Sequence, residues 1–131
     1  MPRKAVLGLV LGLILACGER DRLVFEEVPE DEIGPITRID PPSTDTTITE
    51  GDVFVVGARA VDTSGVDSVF IQVTGANLSY LPLDAGGRDT LNFALTLPTI
   101  GLNGRTVVIG IFAVDVIGNI GSTVSRRITI N

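Results

Sequence analysis

Residues 53–74 read VFVVGARAVDTSGVDSVFIQVT, and this stretch decides the fold. In its first half Phe54, Val56, Ala58 and Ala60 occupy alternate positions, which in an extended chain puts them on one face. In its second half Val69, Ile71 and Val73 alternate with Ser68, Phe70 and Gln72 in the same way. Between the halves, Asp62-Thr63-Ser64-Gly65 supplies the short polar and glycine residues that turns require. The period is two on both sides of the break, and no 3.6-residue period competes with it. The stretch therefore predicts two strands, 53–61 and 66–74, joined by a tight connection.

The same rhythm continues in both directions. Upstream, ITRID (36–40) is a strand stopped by Pro41-Pro42, and TTIT (46–49) is a short companion. Downstream, a weak strand at 78–83 precedes the turn cluster DAGGRD, and 90–97 turns Leu91, Phe93, Leu95 and Leu97 inward. Segments 105–114 and 122–130 close the chain. Lettered in order, the expected strands are A (36–40, with A′ at 46–49), B (53–61), C (66–74), D (78–83), E (90–97), F (105–114) and G (122–130). Short strands at this spacing predict an all-β sandwich of about seven strands over residues 35–131, with sheets A-B-E-D and G-F-C. Gly57 and Gly110 fall inside B and F, where a close backbone approach or a bulge would require them. Arg126 and Arg127 fall on G, expected at a sheet edge where charge discourages pairing with another sheet.

Composition removes several function classes. The 131-residue chain has no His and no Trp, and its net charge is −6. Without His there is no Ser-His-Asp triad, no Cys-His pair and no His-ligated zinc. The acidic balance argues against nucleic acid, whose binding rests on cationic neutralisation of phosphates. Two carboxylates could act as acid and base, but so small a sandwich has little room for a cleft, and no aromatic subsites are present. The expectation is a non-catalytic protein. A carbohydrate platform would want exposed aromatic rings, and the chain offers only Tyr80 outside its five Phe.

The first residues carry a separate signal. Arg3 and Lys4 precede a twelve-residue apolar run, Ala5 to Ala16, which ends at Cys17, the chain's one cysteine. A run of that length is too short for a bilayer core that needs roughly 20 residues, and it fits a signal-peptide core. Ile14-Leu15-Ala16-Cys17 resembles the bacterial lipobox, with Leu15 an unusual occupant of its middle position. That resemblance to bacterial lipoproteins implies cleavage after Ala16 (signal peptide 1–16) and a diacylglyceryl thioether on Cys17. Two or three acyl chains, each methylene worth about 0.8 kcal/mol, would anchor the chain stably to a membrane. Gly18, rather than Asp, resembles lipoproteins delivered to the outer membrane of the cell envelope. From Gly18 to Gly34 the text is GERDRLVFEEVPEDEIG, seven acidic and two basic residues, expected as a flexible linker behind Cys17 (residues 17–34). Its r.m.s. reach would be about 23 Å.

Two motifs carry a second resemblance. ARAVDTSGVDSV (58–69) and IFAVDVIGNIGS (111–122) join a core Ala, a strand-ending Asp and a turn Gly at fixed offsets. Together they are similar to the B–C and F–G junctions of bacterial immunoglobulin-like domains. The resemblance covers residues 34–131 and implies an immunoglobulin-like sandwich used as a spacer, adhesin part or binding surface, with a protein partner. No second cysteine exists for a disulfide between strands B and F, so packing alone would hold the sheets.

In that topology the B–C, D–E and F–G loops gather at one pole. They hold Asp62, Asp67, Asp84, Asp89, Asp115 and Asn119, a set of oxygens of the kind calcium takes. Asp and Asn also cap backbone amides in turns, so the same letters serve turn chemistry. Two further expectations follow: a calcium-dependent adhesion module using that pole, and an accessory subunit that pairs an edge strand with a larger envelope protein.

Overall fold

The computed structural model describes residues 33–131. The signal peptide, the Cys17 anchor and nearly all of the linker lie outside the described residues. Within them the chain forms six strands and no helix: β1 (Ile36–Ile39), β2 (Thr46–Ile48), β3 (Phe54–Thr74), β4 (Leu83–Leu97), β5 (Thr106–Asp115) and β6 (Val124–Ile130).

The expected B and C are one 21-residue strand, β3, that passes from one layer of the sandwich to the other. Its register breaks between Val61 and Ser68 mark the corner. Before the corner, Ile36–Ile39 of β1 pairs antiparallel with Ala58–Val61, and residues 90–97 of β4 pair antiparallel with 54–61 on the other side. After it, residues 66–74 pair antiparallel with β5, β5 pairs with β6, and β2 pairs parallel with β6. One layer thus contains β1, the first half of β3 and the second half of β4. The other contains β2, β6, β5, the second half of β3 and the start of β4.

The fourth expected strand is corrected. Residues 78–82 form no strand, and 83–88 pair with Val66–Val69 rather than extending the A-B-E sheet. Leu78 and Tyr80 do alternate, but Pro82 has no N–H for a ladder. These residues bind through side chains instead: both pack against the core, and the Tyr80 hydroxyl donates to the Thr96 carbonyl at 2.7 Å. Burial pushes the Tyr80 phenol pKa up. The expected D–E turn, 84–89, is likewise part of the continuous β4.

The core forms where the alternating faces of the two layers meet. Val56, Ala60, Leu95 and Leu97 come from one layer, and Val69, Ile109, Ile111, Ile128 and Ile130 from the other, all buried. Fully burying an aliphatic side chain of this size contributes about 1.5–3 kcal/mol, enough to hold the layers without a disulfide. Leu91, Phe93, Ile71 and Val73 point the same way and cover the rim of this core. The Gly57 expectation holds: a Cβ there would come within 2.8 Å of the Asp40 carbonyl oxygen, where β1 crosses.

β2 pairs only with Ile128–Ile130, so Arg126 and Arg127 lie on the part of β6 that it leaves uncovered, as expected, and the Arg126 guanidinium in addition reaches across to the far layer. Nη2 donates to the Ile39 carbonyl at 2.9 Å and Nε to the Pro42 carbonyl at 2.9 Å. Arg127 is exposed, and its backbone N–H donates to Asp45 Oδ1 at 2.9 Å. At the end of the sandwich where β6 finishes, the buried Thr99 joins two turns, accepting from the Gly51 amide and donating to the Asp52 carbonyl, both at 2.8 Å.

Candidate functional site

The three connections expected at one pole do meet there. Val66 sits at the corner of β3 opposite both Arg88 of β4 and Asp115 of β5. The Val116 amide donates to the Gly65 carbonyl at 3.0 Å, which ties the loop after β5 to the corner. Gly65 has a φ of 101°, and a Cβ there would approach the Gly87 carbonyl oxygen to 2.5 Å. Glycine is therefore required at this position both by its backbone angle and by its contact.

Asp62, Asp84 and Asp115 accept from amides of their own turns. Asp62 is 7% exposed, and its Oδ1 accepts from the Ser64 amide at 2.7 Å. Asp84 is exposed and accepts from the Gly86 amide at 2.8 Å. Asp67, also exposed, accepts from the Ser68 hydroxyl at 2.8 Å, and Asp89 is exposed beside Arg88. Among the described residues no three carboxylates come close enough to hold a metal ion. The topology brings the six residues to one end of the sandwich without drawing them into one cluster.

Asp115 is the most heavily bonded of the set. It is buried, and its Oδ1 accepts from the amides of Ile117, Gly118 and Asn119 at 2.8–2.9 Å. Oδ2 accepts from the Asn119 side-chain amide at 2.9 Å, and the Asp115 amide donates to the Asn119 carbonyl at 3.0 Å. Burial pushes the carboxyl pKa up, but the bonds from Asn119, Ile117 and Gly118 outweigh it and hold the pKa below the ordinary carboxylate range. The Asp-x-x-Gly-Asn motif thus builds a closed loop around one carboxylate.

That locked loop displays apolar side chains. Val116 and Ile117 are half exposed, and Ile120 is largely exposed. Beside them the start of the domain packs directly on the loop: a Cβ on Gly34 would run into the backbone of Ile120 and Gly121, and one on Gly121 into the Pro35 carbonyl. Ile33, Pro35, Ile36 and Ile120 line an open depression of about 470 Å³. Sequence reading picked out the polar letters of this pole and passed over its exposed Val and Ile. Their signal was visible as three aliphatic residues inside a turn motif, where polar residues are usual.

No protein-family model matches the chain, and no curated protein matches it. Solved structures do. The SrpA adhesin of Streptococcus sanguinis superposes with a TM-score of 0.54 at 18% identity, over 77% of this chain and 58% of that one. Its R347E mutant gives 0.54 at 20% identity, over 77% and 57%. The fibronectin(III)-like modules of Clostridium thermocellum CbhA give 0.53 at 15% identity, over 73% of this chain and 97% of theirs. The chain spans a little over half the length of the adhesin chains. At these identities the likeness is one of fold: the described domain is an immunoglobulin-like, fibronectin(III)-like β-sandwich.

Proposed function

We propose that this chain is a non-catalytic lipoprotein of the bacterial cell envelope, anchored through acyl chains on Cys17, whose sandwich domain makes protein contacts with its loop pole. The observation that carries the contact role is the loop 116–120. Asp115 and Asn119 hold it in one conformation while Val116, Ile117 and Ile120 stand exposed on it. A preordered apolar loop loses little entropy on binding, and exposed apolar patches of this kind mark interaction sites. Adhesin and fibronectin(III)-like modules among its structural neighbours support a contact role. Asp62, Asp84 and Asp115 accept from turn amides and no three carboxylates among the described residues come together, so neither cation binding nor proton transfer is the reading favoured there.

Two measurements test the two halves of this proposal. Intact mass of the cell-derived protein is expected to show a chain beginning at Cys17 and carrying lipid. An unmodified thiol on a water-soluble species refutes the anchor. Pull-down from solubilised membranes is expected to recover a protein partner, with recovery lost in the triple variant Val116→Ser, Ile117→Ser, Ile120→Ser. Undiminished recovery refutes the pole as the contact surface.

A further inference from the structure

Backbone parity shows which sheet edges of the sandwich are open. The Asp40 amide donates to the Gly57 carbonyl and the Gly57 amide to the Pro41 carbonyl, so the odd residues of β3 before the corner face β1. Its even residues then face β4, and the register Ala58↔Phe93 makes Leu91, Phe93, Leu95 and Leu97 the inward-bonding partners. Thr90, Asn92, Ala94 and Thr96 therefore point their N–H and C=O groups away from the sheet. The Tyr80 hydroxyl on the Thr96 carbonyl agrees with this parity. The backbone groups of Thr90, Asn92 and Ala94 have no partner among the described residues.

Three further edges among the described residues are guarded in the ways natural sheets use. β1 has four residues, runs into Pro41-Pro42, and its outward Ile39 carbonyl is taken by Arg126. β2 has only three residues, and where it stops short of covering β6 the Asp45 carboxylate takes the Arg127 amide. The edge at 83–88 is bent by Gly86 and Gly87, both at positive φ. Among the described residues, 90–94 of β4, TLNFA, form a regular open edge, and the stretch carries no charge.

We infer that residues 90–94 of β4 pair antiparallel with the same residues of a second copy of this chain, about a two-fold axis at Asn92. The sequence is self-complementary in that register. Thr90 meets Ala94 of the second copy, Asn92 meets Asn92, and each of these pairs exchanges two backbone hydrogen bonds. Leu91 falls opposite Phe93, an aliphatic–aromatic cross-strand pair on the core side, where both are now only partly buried. No charged residue lies in the paired segment, so no like charges are brought into direct opposition. Arg59, next to Asn92 on β3, stays three strand spacings, about 14 Å, from its counterpart, beyond the ~8 Å screening length. The inference concerns a different surface from the loop pole and stands or falls separately from it.

Cysteine cross-linking in the full chain, with Cys17→Ser removing the native thiol, tests both contact and register. Asn92→Cys places two thiols opposite each other with Cα atoms about 5.5 Å apart, within disulfide reach. Ala94→Cys places its two thiols about 14 Å apart along the strands, out of reach. Asn92→Cys is expected to form covalent dimer at least about tenfold faster than Ala94→Cys. Thr90→Cys and Ala94→Cys chains, slow when alone, are expected to cross-link when mixed. Asn92→Lys opposes two ammonium groups and is expected to abolish association in sedimentation. The inference is overturned if Asn92→Cys reacts no faster than Ala94→Cys, if mixing Thr90→Cys with Ala94→Cys gives no gain, or if Asn92→Lys still dimerises. It is equally overturned if an unrelated extended peptide, and not a second copy, protects the 90–94 amides from hydrogen exchange.

Discussion

Replacing Arg126 by Ala removes the only side chain among the described residues seen to bridge the two layers by hydrogen bonds from β6 to the carbonyls of Ile39 and Pro42. A hydrogen bond from a charged donor contributes about 1.5–3 kcal/mol net. Water reaches the site in part and the two bonds share one guanidinium, so the pair is worth about 2–4 kcal/mol rather than the simple sum. The third bond, Nη1 to Ser125, is local and exposed and adds little. A domain of about 100 residues has an unfolding entropy near 0.2 kcal/mol/K, so the expected fall in Tm is about 10–20 °C. Thermal unfolding followed by circular dichroism measures it. Arg127→Ala is the control: that side chain is exposed, the bond at this residue uses the backbone amide, and its change should stay within about 0.5 kcal/mol. Arg126→Lys should fall between the two, because an ammonium is a point donor and not a planar fork. If Arg126→Ala costs no more than Arg127→Ala, the bridge between layers is not what holds the segment 39–42, and the reasoning fails.

Three further outcomes follow from the pole and the core. Asp115 has a folded pKa below the ordinary carboxylate range, so its contribution is present at neutral pH and is lost as pH falls through that depressed value. Wild type should lose Tm on acidification more steeply than Asp115→Asn, and parallel pH profiles would count against the loop's dependence on the carboxylate. Thr37 has a buried hydroxyl with no hydrogen-bond partner among the described residues. Thr37→Val keeps its shape and removes the unmet oxygen, so it should raise stability by about 1 kcal/mol in urea titration, and a loss would show an unseen partner. Calcium at millimolar concentration, followed by chelator, should leave Tm unchanged, since Asp62, Asp84 and Asp115 already hold turn amides. A rise with calcium would restore the cation-binding reading of the pole.

Much of the fold was legible because alternation reports directly which face of a strand is buried. Val56, Ala58, Ala60, Leu95 and Leu97 were read inward and are buried, and the two Asp-x-x-Gly junctions were read as meeting at one pole and do meet. Alternation says nothing about which strand lies alongside. That is why a strand was expected at 78–83 beside E with a turn at 84–89, whereas 83–88 pair with the second half of β3, and why Leu78 and Tyr80, which pack without a ladder, were read as a strand. The bonds of Arg126 to Ile39 and Pro42 span 87 and 84 positions, and no local pattern encodes them. The polar residues of the pole were found by type, but their partners were not. Asp115 closes a loop on itself, and whether a carboxylate faces its own amides or a neighbour's oxygen depends on backbone angles that residue letters do not state.

β1 begins at the loop pole and β6 finishes at the opposite end, where Ile130 lies beside Ile48 and Arg105. Tension applied between these two points therefore runs along the strands, at right angles to most of their hydrogen bonds. In that direction the parallel bonds between β2 and β6 would be sheared together rather than peeled one after another. A domain wired in this way resists stretching along its strands better than stretching across them.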